Sequence, residues 1–144
     1  MNSHDLLALL TTQIPISKFM EVSITEISEH EIKLLCPLKP NHNHLGGAFG
    51  GSLSTMMIFA AYCQLYYLIN GKGHVLIKSS QTEFIYPVEE DIQAVGFAPS
   101  DELKKNFLHT FERKGKGKIQ IESVIKLKDG RTACTMKAEM VAMN

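Results

Sequence analysis

The chain has 144 residues, 44% apolar and 21% charged, which fits a single globular domain over residues 1–144. Fifteen basic and fifteen acidic side chains cancel, so bulk charge gives no reason to expect nucleic acid or an anionic membrane surface as partner. The three cysteines, Cys36, Cys63 and Cys134, lack metal-ligand spacing and the even count of a disulfide framework; they point to a reduced, cytoplasmic setting. The first residues, MNSHDLLALL, have neither a basic leader nor a small-residue cleavage site, so no signal peptide is expected.

In chain order, Ser3 is a candidate cap for a short helix from His4 to about Gln13, with Leu6, Leu9 and Leu10 at helical spacing and Pro15 ending it. Glu21 to Ile27 alternates apolar and polar residues as a half-buried strand does. Ser28 to Glu31 reads as a tight turn, and Ile32 to Cys36 as a second strand ended by Pro37 and Pro40.

The stretch from Asn41 to Asn70 is the most informative. No Asp, Glu, Lys or Arg lies between Lys39 and Lys72. A loop of Asn, His and Gly runs straight into an apolar helix from about Gly50 to Asn70, stopped by Asn70-Gly71 and Gly73. A membrane span is the competing reading, since one needs ~20 apolar residues. Ser54, Thr55 and Gln64 within it, and the amphipathic strands after it, favour a buried central helix.

His74 to Tyr86 reads as a long strand, with Val75 and Ile77 on one face, Phe84 and Tyr86 on the other, and Pro87 as breaker. Asp91 to Ala98 is another strand. Ser100, Asp101 and Glu102 suit a helix start, with Leu103, Phe107, Leu108 and Phe111 as its apolar stripe. Ile119 to Leu127 and Thr132 to Met140 alternate around an Asp129-Gly130 hairpin turn. Tight turns favour antiparallel pairing. A sheet of about six strands curling around one long apolar helix, an α+β layer, buries both apolar surfaces.

That order resembles the hotdog fold. Two segments carry the likeness: Asn43-x-x-Gly46-x-x-Phe49-Gly50-Gly51 and Phe84-Ile85-Tyr86-Pro87-Val88. They are similar to the Asn-x-x-Gly-x-x-His-Gly-Gly and aromatic-x-x-Pro patterns of hotdog acyl-CoA thioesterases. With Phe49 in place of the His, the chain most resembles the YiiD C-terminal-type thioesterase domain, over almost its whole length. The resemblance implies that Asn43 orients the attacking water or the carbonyl. It implies that a backbone N–H of Gly50 or Gly51 receives the thioester oxygen. It puts the water-activating carboxylate of related enzymes at Ile58, which cannot act as a base, and a strand serine of some relatives near Ile77, with Ser79 and Ser80 close by. It also implies a homodimer or tetramer with the active site between subunits. Coenzyme A is expected only as part of the substrate, and no other cofactor is implied.

The residues themselves allow this chemistry. Thioester hydrolysis develops negative charge on the carbonyl oxygen, and one preorganised N–H contributes ~3–4 kcal/mol to its stabilisation. Free N–H groups and the positive dipole end at the start of a helix supply such donors. Gly46, Gly50 and Gly51 would let a substrate approach the backbone; equally, glycines there permit a turn and close packing. Phe49 and Ser52 border the same mouth. Thr55 lies one turn before Ile58, although a helical hydroxyl also bonds back to its own backbone. Glu83 is a carboxylate within a strand, a base if buried and an ordinary outward residue if not. His42-x-His44 lacks a third ligand, so no metal is expected. Cys63 reads as a small buried apolar residue. No nucleophile elbow or Walker loop is present. The densest basic run, Arg113 with Lys114, Lys116 and Lys118, suits the phosphates of coenzyme A if it borders a tunnel, and a solvated turn if it does not.

Hydrolysis of an acyl-CoA or acyl-carrier-protein thioester by activated water is the leading expectation. Asn43 and Gly51 would lead it, with Thr55, Ser80 or Glu83, from this or a partner subunit, completing the site. Ile58 motivates the alternative, a non-catalytic acyl-CoA-binding module. A hydratase or dehydratase ranks last, because no His paired with an acid stands near the central helix.

Overall fold

The computed structural model describes residues 1–144. The elements are α1 (Ser3–Gln13), α2 (Ile16–Phe19), β1 (Ser23–Ile27), β2 (Glu31–Cys36), α3 (Gly50–Leu68), β3 (His74–Phe84), β4 (Ile92–Phe97), α4 (Asp101–Lys114), β5 (Lys116–Lys126) and β6 (Thr132–Met143). The six strands form one antiparallel sheet in the order β1-β2-β4-β5-β6-β3. The sheet packs around α3, as the resemblance implies, and 34 buried apolar residues form one continuous cluster.

α3 is buried because it has no charge to keep in water and is apolar on nearly every side. No helix is long and apolar enough to cross a membrane. Its carboxyl end turns through the left-handed region at Asn70 (φ 54°) and Gly71 (φ 70°), where Gly71 N–H donates to the Tyr66 carbonyl (2.8 Å). Where the helix crosses the sheet, β4 carries Gly96. A Cβ at that position would lie 2.6 Å from the Ala60 carbonyl oxygen. Two buried polar side chains lock the crossing: Gln64 Nε2 donates to the Gly96 carbonyl (2.6 Å) and Ser123 Oγ to the Met57 carbonyl (2.9 Å).

Several boundaries differ from the expectation. The cap of α1 is Asn2, whose Oδ1 accepts from Asp5 N–H, rather than Ser3. β1 starts after Glu21, which sits at positive φ (60°) in a turn. The apolar stripe of α4 keeps Phe107 and Phe111, stacked at 5.8 Å with Phe107 over Gly117, and the partly buried Leu108, while Leu103 is half exposed. In β3 the register against β6 shifts between Ile77 and Ser79. This bulge returns Phe84 to the face that carries Val75 and Ile77, correcting the assignment of Phe84 to the other face. β3 also ends at Phe84. The N–H groups of Ile85 and Tyr86 both turn to the Ala133 carbonyl (2.7 and 3.1 Å), which takes the chain off the ladder.

The Gly96 crossing leaves no room for a side chain. Gly96→Ala should lower the free energy of unfolding by about 1–3 kcal/mol, the cost of overpacking a tight core. Urea denaturation reads it, and an unchanged midpoint would show that α3 slides aside freely.

Candidate active site at the start of the central helix

The loop before α3 is fastened from below by Asn41, which is buried. Its Nδ2 donates to the Pro37 carbonyl (2.8 Å) and the Met20 carbonyl (3.1 Å), and its own carbonyl accepts from Phe49 N–H (2.8 Å). Sequence reasoning missed this residue as an anchor. The available signal was an Asn directly after Pro40, where a turn needs its backbone groups satisfied.

Asn43 shapes the tip. Its Oδ1 accepts from Leu45 N–H (2.8 Å) and Gly47 N–H (3.2 Å). These two donors fix the amide orientation and leave the Nδ2 hydrogens without a protein partner. Gly46 takes positive φ (84°) in this turn. On the far side, Ala48 N–H donates to the Val88 carbonyl (2.7 Å), and a Cβ at Gly47 would lie 3.2 Å from the same oxygen. The two segments that carry the family likeness are therefore in direct contact.

The first helical bond of α3 is Leu53 N–H to the Phe49 carbonyl (3.0 Å). The N–H groups of Gly50, Gly51 and Ser52 precede it and have no intrahelical acceptor. No acidic residue stands in the first turn, so nothing on the helix neutralises the positive dipole end. Two aromatic rings flank this point. The exposed Phe49 ring lies so close over Gly51 that any Cβ there would collide with it, and Phe84 Cε1 is 3.9 Å from the Cβ position of Gly50. Leu45, Ile85 and Tyr86 extend an exposed apolar rim, with Arg131 stacked 4.6 Å above the Tyr86 ring.

Asn43, Gly46, Phe49, Gly50, Gly51 and Ser52 all lie in the loop and first turn of α3. Thr55 lies one turn in, and its Oγ1 donates back to the Gly51 carbonyl (2.7 Å). Ser80 pairs with Ala138 on the helix-facing side of edge strand β3. Ile58 and Tyr62 are half-buried along the same side of α3. Burial pushes the Tyr62 phenol above its ordinary value, and its oxygen reaches the Ile77 backbone. Glu83 is not brought to this mouth. It stands on the outer face of the sheet, in a shallow pocket of about 370 Å³ shared with Gln81, Glu122 and Lys137. Lys116 and Lys118 line a separate groove toward the other end of β3, and Arg113 is not among its lining residues. No group of three or more His, Cys, Asp or Glu side chains is placed to hold a metal ion.

The family model described as "Putative thioesterase (yiiD_Cterm)" matches residues 3–144. No curated protein matches the chain. Among solved structures, a Chlorobaculum tepidum protein of unknown function is 27% identical with a TM-score of 0.91, covering 99% of this chain and 94% of its own. A Shewanella oneidensis protein described as a "putative thioesterase" is 21% identical with a TM-score of 0.85, covering 99% of this chain and 97% of its own. A Pseudomonas aeruginosa protein of unknown function, called a probable thioesterase, is 16% identical with a TM-score of 0.81, covering 99% and 96%. The shared fold is the hotdog.

None of the three cysteines serves as a nucleophile at this mouth. Burial raises the thiols of Cys36 and Cys63 to about 12, with the Asp91 charge adding at Cys36, and burial raises Cys134 to about 11. The folded protein therefore keeps these protons at pH values where the unfolded chain, near 9, releases them. Stability should fall as pH rises from 9 toward 11, by up to ~1.4 kcal/mol per pH unit for each thiol. Chemical denaturation at pH 8, 9, 10 and 11 reads this, and a flat profile would contradict the burial of the thiols.

Proposed function

Since the chain belongs to the YiiD C-terminal thioesterase family, we propose that it hydrolyses an acyl thioester, carried on coenzyme A or an acyl carrier protein, with water. The observation that carries this reading is the uncapped start of α3, with free N–H groups at Gly50 and Gly51 that follow a loop whose Asn43 Nδ2 is also without a partner. Water adds to the carbonyl carbon, and the C=O electron pair moves onto oxygen. The N–H of Gly51 meets that oxyanion at a helix start whose first turn carries no carboxylate. Asn43 Nδ2 donates to the water or the carbonyl. The intermediate collapses, the C–S bond breaks, and the thiolate leaves and takes up a proton.

The proton of the attacking water needs an acceptor, and Ile58 cannot be one. Glu83 of a second subunit accepts it, or Thr55 or Ser80 passes it on to the departing thiolate sulfur. Two observations support an assembly of two or four copies. β3 is an edge strand of 11 residues with one side of its ladder unpaired. The half-buried side of α3 at Thr55, Ile58 and Tyr62 faces that edge.

One observation favours the second reading, acyl-thioester binding without turnover. The position on α3 where the resemblance puts the water-activating carboxylate holds Ile58, and the helix carries no acidic residue at all. An acyl-CoA panel across chain lengths, followed by release of free thiol, separates the two. Saturable binding with no thiol released from any member selects the binding module.

Asn43→Ala and Asn43→Asp should each lower turnover at least tenfold. The Asp variant keeps the Oδ1 acceptor that holds the loop, loses the donor and adds a negative charge that opposes the oxyanion. It should retain the melting temperature of the parent. Full activity in Asn43→Asp would remove the Asn43 amide from the mechanism.

A further inference from the structure

A groove of about 660 Å³ lies where the last turn of α4 meets β5, β6 and the start of β3. Lys78, Lys114, Lys116 and Lys118 line it, with no carboxylate among the lining residues. In a chain with no net charge, this is a local concentration of positive charge. Glu139 reaches only Lys78 (3.9 Å) and Lys118 (3.7 Å), both at long range. Lys114 and Lys116 have no acidic partner within ion-pair distance. Beneath the ammonium groups the lining is apolar: Leu76, which is half exposed, Val141 and Met143. An apolar floor under a ring of cations suits a flat heterocycle bearing phosphates, since lysines bind phosphate as point charges. The volume falls within the ~300–1,000 Å³ of small-molecule sites.

We propose that this groove binds the phosphorylated nucleotide end of a coenzyme A thioester. The inference rests on the thioester-hydrolase reading and narrows it to one carrier. The groove reaches Ile77, and the aromatic Phe84 beside Gly50 lies seven residues further along β3. At 3.3 Å per residue the two ends are ~23 Å apart. An extended phosphopantetheine arm, the segment between nucleotide and thiol, spans a separation of this order. The groove opens on the outer face of the sheet, where Leu76, Lys118 and Val141 stand, and Phe84 and Gly50 lie on the helix face, so an arm leaving the groove reaches a helix start by passing over the β3 edge, to this chain or to a second copy meeting it there. A concave site lined by point charges fits a small polyanion better than the broad acidic surface of a carrier protein.

The test uses the full chain and two independent readouts. Calorimetric titration with adenosine bisphosphate, the nucleotide portion of coenzyme A, should give saturable binding that weakens with salt. Lys114→Glu/Lys116→Glu should weaken it about tenfold or more. The milder Lys114→Gln/Lys116→Gln should weaken it in the same direction and guards against loss of folding. In the same variants KM for an acyl-CoA should rise, while KM for the matching acyl-pantetheine, which has no nucleotide, should not. Lysine-dependent nucleotide binding in a protein that hydrolyses no thioester would uphold the groove and overturn only the hydrolase reading. Thioester hydrolysis without nucleotide binding, or nucleotide binding indifferent to both variants, would overturn the groove proposal. Lysine-dependent capture of an acidic acyl carrier protein, with no binding of the nucleotide, would overturn it as well.

Discussion

The structure depends on hiding one charge-free helix. α3 offers water no charged group along its length, so its burial is the main apolar gain available to the chain, and the sheet must wrap it. Close approach at the crossing then dictates details elsewhere. Gly96 stands where the Ala60 carbonyl comes nearest. That carbonyl-to-strand approach is tolerable only because the polar groups near it are satisfied. Gln64 answers the Gly96 carbonyl and Ser123 answers Met57; a buried amide or hydroxyl without such partners would cost ~1–3 kcal/mol. These two polar side chains set the position of α3 on the sheet, which apolar contacts alone, being non-directional, would leave free to slide.

Fixing the helix fixes its start, and the loop in front of it is held from three sides. Asn41 ties it to the chain before β1 and after β2, Asn43 closes its tip, and Val88 receives Ala48 from the strand side. The cost of ordering a polar glycine-bearing loop is thereby met by hydrogen bonds rather than by burial. The result is a rigid approach to N–H groups that no side chain caps. Phe49 and Phe84 keep the flanks of this point apolar, which strengthens any charge interaction made between them.

Much of this was legible in the sequence. The absence of charge from Lys39 to Lys72 marked the helix, the Asp129-Gly130 turn marked the last hairpin, and the Asn and Gly residues before the helix marked a turn. What could not be read was register and contact across the chain. The bulge after Ile77 leaves no signature, because Lys-Ser-Ser fits a strand on either face, yet it moves Phe84 from one side of the sheet to the other. Asn41 looked like one more loop residue until Met20 and Pro37 were seen beside it. The lysines of the basic run gained their meaning only when Lys78, distant in sequence, came to stand across from them.

The same absence of charge that lets α3 be buried shapes what chemistry its start can perform. A carboxylate in place of Ile58, in the third turn, would offer a base, but it would also place an anion on the helix whose N–H groups at the start favour negative charge. Ile58 resolves this conflict wholly toward the oxyanion. The positive end of the helix stays unopposed, and the duty of taking a proton passes to another element or another subunit. The geometry of β3 fits that division. Its edge is open beside the half-buried side of α3, and its one carboxylate, Glu83, faces away from its own helix. A carboxylate held on the opposite face of the sheet cannot act at its own helix start, whereas Glu89, whose Cγ lies 3.9 Å from the Cβ position of Gly47, stands against the loop itself.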